Sequence, residues 1–354
     1  MAAAPAPSRM RREIEEIPDA VDRVLAAAPD GLRAIAEVFN RIQPRWVMVA
    51  ARGTSDHAAV YAQYLIETHL GLPSGLAKPS VTTVYGARLA WRDGVLLAIS
   101  QSGQSPDIVG VVEAARDAGA LTIAITNEHP SPLAAAAEYS VRCHAGQELA
   151  VPATKTYVAE LAVVASLAAA IRPDSVLELG LAALPAVLRT TLTQTDAWLD
   201  GPGRDLVRSL ADGDRALLVS RGYNLATALE LALKLKETCG LFAEAYSTAD
   251  FAHGPLVLAQ AAVPTIGIRP DGAMGALVDE TLAAVAARGS LATVIGGPEA
   301  ARFPGALSLP SLVPEALTPL QFVVPGQLLV EATARALGIS PDAPIGLGKV
   351  TRTR

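Results

Sequence analysis

The chain has 354 residues, of which 51% are hydrophobic and 18% are charged, and its formal net charge is −6. This length suits about two domains, and the apolar fraction excludes an intrinsically disordered chain. An acidic chain without a basic run is a poor candidate for binding nucleic acid or an anionic membrane surface. Two cysteines, Cys143 and Cys239, cannot staple a chain of this length, so we expect a reducing, cytoplasmic environment.

Neither the start nor the interior of the sequence predicts a membrane segment. The opening MAAAPAPSRMRREIEE has no apolar core and becomes charged at once, unlike a signal peptide. The longest nearly unbroken apolar run, Leu161–Ile171, is shorter than the roughly 20 residues that cross a bilayer. We therefore expect a soluble protein of two domains.

The apolar pattern predicts helices and strands that alternate along the chain. Two helices come first, at Met10–Leu25 and Leu32–Phe39. The first half then predicts strands near 46–51, 95–100, 121–126 and 139–143, and helices near 56–69, 106–118 and 154–171. A helix and a linker are expected between Pro173 and Asp205. The second half predicts strands near 215–220, 264–268, 291–296 and 306–309, helices near 224–238 and 274–287, and an extended tail at Asp342–Arg354.

An internal repeat of about 170 residues underlies this alternation. Residues 46–55 (WVMVAARGTS) and 216–224 (ALLVSRGYN) both give an apolar run, Arg-Gly and then a helical stretch. Arg52 and Arg221 lie 169 positions apart, and Gly119 and Gly289 lie 170 apart. Short Val/Ile/Leu runs alternating with helices are typical of a parallel sheet covered on both faces. The sequence therefore predicts two copies of one α/β domain.

Hydroxyl residues cluster on two turns of the first copy, where buried strands give way to helices. The segment ISQSGQSPD supplies Ser100, Ser102 and Ser105, and the turn RGTS supplies Thr54 and Ser55. Hydroxyls and free N–H groups at a helix start make a cradle for an anion, beyond the carboxyl ends of parallel strands. One such serine alone would indicate only a helix cap, whereas the whole set favours a phosphate monoester. Neither GxxxxGKS/T nor GxGxxG is present, so a nucleoside triphosphate or a dinucleotide is not indicated.

The second copy lacks these hydroxyls but offers acid–base groups. Its corresponding turn is Arg269–Gly272 (RPDG), so we expect one phosphate site per chain and the chemistry in the second copy. Glu230, Lys234 and Glu237 share one helix face, and Lys236 points elsewhere. Spacing alone favours a solvated Glu–Lys face.

The segment that follows this helix changes that preference. Residues 244–255 (EAYSTADFAHGP) predict a polar loop with His253 before Gly-Pro. A carboxylate, a lysine and a histidine near one strand end suffice for proton transfers on a sugar.

No metal and no cofactor are expected. The other histidines, His57, His69, His129 and His144, have no metal-ligand spacing, and the two cysteines are isolated. Cys239 is more readily explained as a packed apolar residue than as a nucleophile.

Five ordered stretches resemble the isomerase half of glucosamine-6-phosphate synthase, a tandem of two sugar-isomerase (SIS) domains. They are ARGTSDHAAVYAQYLIE, ISQSGQSPD, AGQELAVPATKTY, ALELALKLKETCGLFAEAYSTADFAHGPL and PIGLGKVT, from about residue 47 to the end. The resemblance implies flavodoxin-like, three-layer α/β domains. It implies an N-terminal helical extension at 1–30, SIS domains at 31–195 and 196–339, and a tail over the active site at 340–354.

The resemblance also implies a role for individual residues. The phosphate would be held by Thr54, Ser55, Ser100, Gln101, Ser102 and Ser105. The sugar would be lined by Glu148, Val151 and Ala153. Glu237 would act as the acid/base that moves a proton between C1 and C2, and Lys234 would lie beside the reacting oxygen. His253 would reach the site from a neighbouring subunit and open the sugar ring. Lys349 would contact the open-chain carbonyl. Because His253 would act in a neighbouring subunit, the resemblance also implies a homodimer or a higher homo-oligomer.

Departures from the family suggest which reaction is run. Arg52 replaces a cysteine of the synthase, and Asp250 replaces a usual glutamate. The sequence contains no glutaminase domain to supply ammonia, and the opening RMRREIEEIPDAV resembles stand-alone deaminases of hexosamine phosphates. We therefore expect an isomerising glucosamine-6-phosphate deaminase that yields fructose 6-phosphate and ammonia.

Four alternatives remain open. A galactosamine-6-phosphate deaminase, another SIS sugar-phosphate isomerase or a fructosamine-6-phosphate deglycase would use nearly the same residues. A non-enzymatic sugar-phosphate sensor would need no acid/base pair, which the retained Glu237, His253 and Lys349 disfavour.

Overall fold

A computed structural model describes residues 6–27 and 29–349 and divides them into two compact units. The first unit comprises residues 19–147 and 155–185. The second comprises residues 6–18, 148–154 and 186–349. The predicted domains were contiguous, whereas the second unit takes in the short segment 148–154 and the start of the chain. This exchange could not be predicted, because an apolar pattern indicates a helix or strand but not the unit against which it packs.

The first unit is built on a parallel five-stranded sheet of order β2-β1-β3-β4-β5. Its strands are β1 (Trp46–Ala50), β2 (Ser74–Leu76), β3 (Gly94–Ile99), β4 (Leu121–Thr126) and β5 (Tyr139–Arg142). Its helices are α2 (Ile17–Ala27), α3 (Pro29–Ile42), α4 (Thr54–Leu65), a π-helix (Ile66–Leu70), α5 (Pro79–Thr83), α6 (Pro106–Asp117), α7 (Pro132–Ala136) and α8 (Lys155–Ile171). Every residue of β3 and β4 is buried, as expected for a parallel sheet with both faces covered.

The second unit contains another parallel five-stranded sheet, of order β10-β9-β8-β6-β7. Its strands are β6 (Arg215–Ser220), β7 (Phe242–Ser247), β8 (Thr265–Arg269), β9 (Ala292–Gly296) and β10 (Leu307–Ser308). Its helices are α1 (Arg9–Glu15), α10 (Gly203–Asp212), α11 (Leu225–Cys239), α12 (Thr248–Ala252), α13 (Ala273–Ala287) and α14 (Thr318–Ala336). Single 3-10 turns lie at Gly222–Asn224, Pro255–Leu258, Pro298–Arg302 and Glu315–Leu317.

The two sheets share one topology. Matching β6, β8, β9 and β10 to β1, β3, β4 and β5 also matches β7 to β2 at the edge. The strands predicted from the repeat are all present, with ends within two residues of the observed ones. The expectation of parallel α/β sheets is confirmed.

Edge strands β2 and β7 were not predicted. β2 has only three residues, and none of its side chains is fully buried, so it leaves no apolar run. Residues 244–247 were expected to begin a polar loop, and this was wrong because they lie in β7. Strand β7 carries Glu244 and Tyr246 between buried positions because an edge strand needs burial on one face only. The short helix α12 follows it directly.

The buried helix α14 was also missed. It contains Pro325 and Gly326, which usually interrupt a helical pattern. Gly326 is needed because a Cβ there would lie 2.2 Å from a methyl carbon of Leu231 on α11. The glycine therefore permits close packing of α11 against α14.

The long helix α9 (Ser175–Leu199) is apolar enough, by length and composition, to cross a membrane. It was expected only as a helix and a linker between Pro173 and Asp205. Its buried side includes Leu184, Leu188, Thr191 and Thr195, whose two threonine hydroxyls bond back to the helix carbonyls. This burial on one side is typical of a core helix in a folded protein.

Candidate active site

The predicted phosphate cradle lies at the carboxyl ends of the paired strands β1 and β3 in the first unit. Helix α4 begins at Thr54, directly after β1, and α6 begins at Pro106, after the serine turn. The structure thus brings together all six predicted residues, Thr54, Ser55, Ser100, Gln101, Ser102 and Ser105, on two neighbouring turns.

The serines of the β3–α6 turn retain donors for a ligand. Ser100 and Ser102 accept from the backbone N–H groups of Gly103 and Gln104, at 3.2 and 3.3 Å. A hydroxyl that accepts one hydrogen bond still has its own hydrogen to donate. Ser105 precedes α6 without making a side-chain cap. Helix capping therefore does not explain why a serine stands at position 105.

The Ser55 hydroxyl, unlike these serines, donates its hydrogen bond within the protein. Its Oγ donates to Oε1 of Glu160 on α8, at 2.8 Å, and both side chains are buried. In this arrangement the hydroxyl hydrogen points at a carboxylate and not into the cradle. The sequence did not reveal Glu160, because a single glutamate within the apolar run of α8 looks like an ordinary helix residue.

Two further residues shape the cradle. Gly103 has a φ of +60°, and a Cβ would lie 2.4 Å from Oγ of Ser131, so only glycine fits this turn. Arg52 donates through Nε to Oδ2 of Asp107, at 2.8 Å. Asp107 lies in the first turn of α6, so the arginine ties the turn after β1 to the helix after β3.

Helix α11 of the second unit presents a buried ion cluster. Lys234 Nζ lies 2.5 Å from Oε2 of Glu237 and 3.4 Å from Oε1 of Glu230. Lys234 and Glu230 are fully buried, whereas the side chain of Glu237 is 28% exposed. The solvated face favoured by spacing alone was therefore wrong, because α11 packs against β6, β7 and α14.

Electrostatics keep the lysine of this cluster charged. Burial opposes the ammonium, but Glu230 and Glu237 outweigh it and raise the pKa of Lys234 above its ordinary value of 10.5. The exposed Lys236 pairs instead with Glu244, at 3.2 Å, and points elsewhere as predicted. Glu237 is the member of the cluster that reaches solvent.

A second buried pair joins Glu148 to the tail lysine within the same unit. Lys349 Nζ donates to Oε2 of Glu148 at 2.6 Å, and the glutamate side chain is fully buried. Oε1 of Glu148 accepts the backbone N–H of Thr154 at 2.9 Å. Val151 and Ala153, predicted to line the sugar, are half-buried on the same short segment. Two positions far apart in sequence thus meet where the resemblance implied a sugar site.

In the single chain, His253 is exposed and lies at the C-terminal end of α12. Asp250, on the same short helix, accepts from Oγ of Ser247 at 2.6 Å, and Ser247 in turn caps the helix. The replacement of a usual glutamate by Asp250 is therefore accommodated by a local contact. The role of His253 in a neighbouring subunit stays a prediction.

The turn of the second sheet that corresponds to the cradle is filled by an arginine. The Arg269 side chain is buried, and its guanidinium pairs with Asp279 at 2.8 Å, with Asp271 at 3.4 Å and with Glu299. These three carboxylates would repel a phosphate dianion. The arrangement supports the expectation of one phosphate site per chain.

Neither cysteine is suited to chemistry. Burial raises the pKa of the Cys239 thiol to about 12, and it raises that of Cys143 well above the usual range. In the part of the chain that the structure describes, no group of three His, Cys, Asp or Glu side chains could hold a metal ion.

Comparison with known proteins identifies the family. The sequence profile of the SIS domain matches residues 42–170. A crystal structure from Silicibacter pomeroyi, of a protein provisionally classed as a phosphosugar isomerase, is 38% identical in sequence, with a TM-score of 0.84. That match covers 95% of this chain and 100% of the other. The chain belongs to the SIS domain family. The resemblance drawn from the sequence motifs is thereby confirmed.

Other known proteins extend the likeness over nearly the whole chain. The isomerizing glutamine–fructose-6-phosphate aminotransferase of Methanothermobacter thermautotrophicus is 31% identical over 347 residues. The match covers 96% of this chain but 56% of that enzyme, so the chain spans little more than half of its relative. Glucosamine-6-phosphate deaminase from Thermotoga maritima, at 19% identity and a TM-score of 0.76, covers 98% of this chain and 100% of its own. This last likeness shows the fold alone.

Proposed function

We propose that this protein is an isomerising glucosamine-6-phosphate deaminase built from two tandem SIS domains. The reaction converts glucosamine 6-phosphate and water to fructose 6-phosphate and ammonia. The observation that carries the proposal is the α11 cluster, in which a solvent-reaching carboxylate, Glu237, is paired with the buried ammonium of Lys234. A carboxylate in such a position can carry a proton between neighbouring carbons of a sugar.

The phosphate of the substrate would bind at the turns after β1 and β3. Ser100, Ser102 and Ser105 offer hydroxyl donors there, and the start of α6 offers backbone N–H groups and a favourable dipole. Hydrogen bonds from such donors to a charged phosphate are stronger than neutral ones. This anchor selects sugars that carry a terminal phosphate.

The proposed chemistry runs in three steps. His253 assists opening of the sugar ring, which exposes the C1 aldehyde. Glu237 then takes the proton from C2 and returns it to C1, while the C2 amine loses a proton and the C1 oxygen gains one, so that the double bond moves from C1–O to C2–N. The ammonium of Lys234 stabilises the negative charge that develops on the C1 oxygen between these steps. Water adds to the resulting ketimine at C2, and ammonia leaves to give the ketose.

Lys349 is assigned to the open-chain carbonyl. Its pairing with the buried Glu148 keeps an ammonium at a fixed place on the 148–154 segment. An ammonium can donate to the carbonyl oxygen or, after losing a proton, attack the carbon to form an imine. Either role requires the tail to stay folded on this segment.

The second candidate is an aldose–ketose isomerase that releases no ammonia. The 38% identical relative classed as a phosphosugar isomerase favours it, and the same transfer between C1 and C2 would serve. A glucosamine-6-phosphate substrate differs only in the group on C2. A galactosamine-6-phosphate deaminase and a fructosamine-6-phosphate deglycase are likewise distinguished by substrate alone.

A panel of substrates separates these functions. Purified protein is incubated with glucosamine 6-phosphate, galactosamine 6-phosphate, glucose 6-phosphate and a fructosyl-amino-acid phosphate, and both ammonia and ketose are measured. Ammonia and fructose 6-phosphate in equal amounts from glucosamine 6-phosphate support the proposal. Ketose without ammonia from glucose 6-phosphate supports the isomerase instead. Binding without turnover of any compound indicates a sensor and contradicts both.

We further propose that the enzyme acts in the cytoplasm as a homodimer or a larger homo-oligomer. The exposed His253 supports this, because the family implies that it acts in a neighbouring copy of the chain. The two buried, unpaired cysteines fit a reducing compartment.

A further inference from the structure

We propose that Glu13, on helix α1, is a positioning residue for Lys349. It acts by fixing the backbone of the segment 148–154, whose Glu148 holds the lysine ammonium. The effect on catalysis rests on the proposed function, whereas the effect on the geometry does not.

Glu13 binds two consecutive backbone N–H groups of this segment. Its Oε1 accepts from Leu149 at 2.5 Å, and its Oε2 accepts from Ala150 at 3.2 Å. The glutamate is only 5% exposed although it lies on a short helix near the start of the described chain. Residues 148–154 belong to no helix or strand, so their N–H groups have no partners within regular secondary structure and need other acceptors. A buried carboxylate with two amide donors is a strong and directional anchor.

A second contact ties the same helix to the tail. The Asp342 carboxylate accepts the backbone N–H groups of Arg9 and Met10, at 3.0 and 2.9 Å. The Asp342 carbonyl accepts the N–H of Val151 at 2.9 Å. Helix α1, the 148–154 segment and the tail therefore form one hydrogen-bonded assembly, the N-terminal clamp, made by Glu13 and Asp342.

Glu148 is the residue next to the first amide that the clamp holds. Its carboxylate accepts from Thr154 and from Lys349, and it has no exposed side-chain surface through which to adjust. Adjacent Cα atoms are about 3.8 Å apart, so a shift of Leu149 moves Glu148 with it. Any such shift changes where Lys349 Nζ lies. Glu13 thus controls the place of an ammonium with which it makes no hydrogen bond.

The decisive variant is Glu13→Gln, which keeps the size of the side chain. A glutamine has one acceptor oxygen, and its NH₂ group would face the second amide donor. The matched control is Glu15→Gln on the same helix, where an exposed glutamate pairs only with Arg11 at 2.7 Å. Should Glu13→Gln fail to fold by circular dichroism, Asp342→Asn weakens the clamp from its other end.

Three readouts are taken on the full chain. Amide hydrogen exchange at Leu149 and Ala150 should rise by about tenfold in Glu13→Gln, while β6 and β8 keep their protection. Acetylation of Lys349 by a small acylating reagent should become faster. With glucosamine 6-phosphate, kcat should fall by about 100-fold, the loss typical of a misplaced catalytic group, with KM within about twofold. Glu15→Gln should match the wild type in all three.

The possible failures are distinguishable. Unchanged amide exchange and acetylation in Glu13→Gln would overturn the clamp itself. Faster exchange and acetylation with unchanged kcat would overturn the positioning role and leave the proposed function standing. A wild-type protein inactive on every amino-sugar phosphate would overturn the proposed function, while the exchange and acetylation results would still decide for or against the clamp.

Discussion

Lys234 and Glu237 lie one helical turn apart on α11 with Nζ and Oε2 at 2.5 Å, yet one side chain is wholly buried and the other reaches solvent. The pair thus joins a fixed internal charge to a group that a substrate can touch. Glu230 supplies a second carboxylate on the buried side. In our proposal the lysine serves both stability and the candidate chemistry, and the two roles can be tested separately.

Replacing Lys234 by Met should destabilise the fold. The variant leaves Glu230 buried without its ammonium, and breaking a buried pair costs about 3–5 kcal/mol. The free energy of unfolding in urea measures this. The control Lys236→Met removes an exposed partner of Glu244 and should cost about 1 kcal/mol or less. Equal losses in the two variants would contradict the assignment of a buried cluster.

The stability that Lys234 provides should be lost at alkaline pH. Its pKa is raised in the folded state, so the contribution is complete below the ordinary value of 10.5 and is lost as pH rises through the folded value. The difference in unfolding free energy between wild type and Lys234→Met should therefore shrink as pH rises above 10.5. A difference that stays constant through this alkaline range would contradict the raised pKa of Lys234.

Glu237→Gln should abolish turnover with little effect on the fold. The amide keeps the shape of the side chain but cannot take a proton, and a positioned acid/base contributes about 10²–10⁴-fold. Steady-state kinetics with glucosamine 6-phosphate should show the loss in kcat while KM stays near its wild-type value. Glu244→Gln, on β7, is the control. Full activity in Glu237→Gln would remove this residue from the mechanism.

Ser102→Ala and Ser55→Ala should have different effects. Ser102 donates to the phosphate in our proposal, so its loss should raise KM, by about tenfold for a lost bond of at least 1.5 kcal/mol to a charged group. Ser55→Ala leaves the buried Glu160 without its hydroxyl donor and should lower the melting temperature as well. If both substitutions changed only KM, the Ser55–Glu160 bond would have no structural role.

Lys349→Met should reproduce most of the effect of deleting residues 346–354. Both should stop ammonia release while circular dichroism stays unchanged, because residues 346–348 are exposed and belong to no helix or strand. Reduction with borohydride in the presence of substrate tests for an imine by the mass of the Lys349 peptide. A truncated enzyme that works at the wild-type rate would exclude the tail from catalysis.

Mixing inactive Glu237→Gln chains with inactive His253→Ala chains tests the subunit arrangement. If the two residues act across a subunit boundary, mixed dimers regain one intact site and part of the activity. Subunit exchange is verified by mass spectrometry of differently tagged chains. No recovery despite exchange would place the whole site within one chain.

Much of the fold was predictable because parallel sheets bury both faces. Strands such as β3 and β4 are continuous apolar runs, and the internal repeat shows the same order of strands and helices twice. Edge strand β7 escaped because it buries alternate residues, and α14 because its proline and glycine mimic a break. Burial of Lys234 could not be predicted from spacing, since an i,i+4 Glu–Lys pair looks the same on a solvated helix.

The candidate site was predictable where residue type defines the chemistry, as with the serines after β3. It was not predictable where a contact joins distant segments. Glu13 and Leu149 lie 136 positions apart, and nothing in either segment signals the other. The partner of Ser55 was hidden for the same reason, because Glu160 lies on another helix.

The ion cluster around Arg269 has a consequence for how the two sheets could exchange roles. Removing the arginine alone would leave Asp271 and Glu299 without its guanidinium and Asp279 with Arg302. Removing one carboxylate alone would leave the guanidinium paired with the other two. A single substitution on this turn therefore still leaves acidic side chains where the first sheet has hydroxyls, and a second anion cradle would need several changes together.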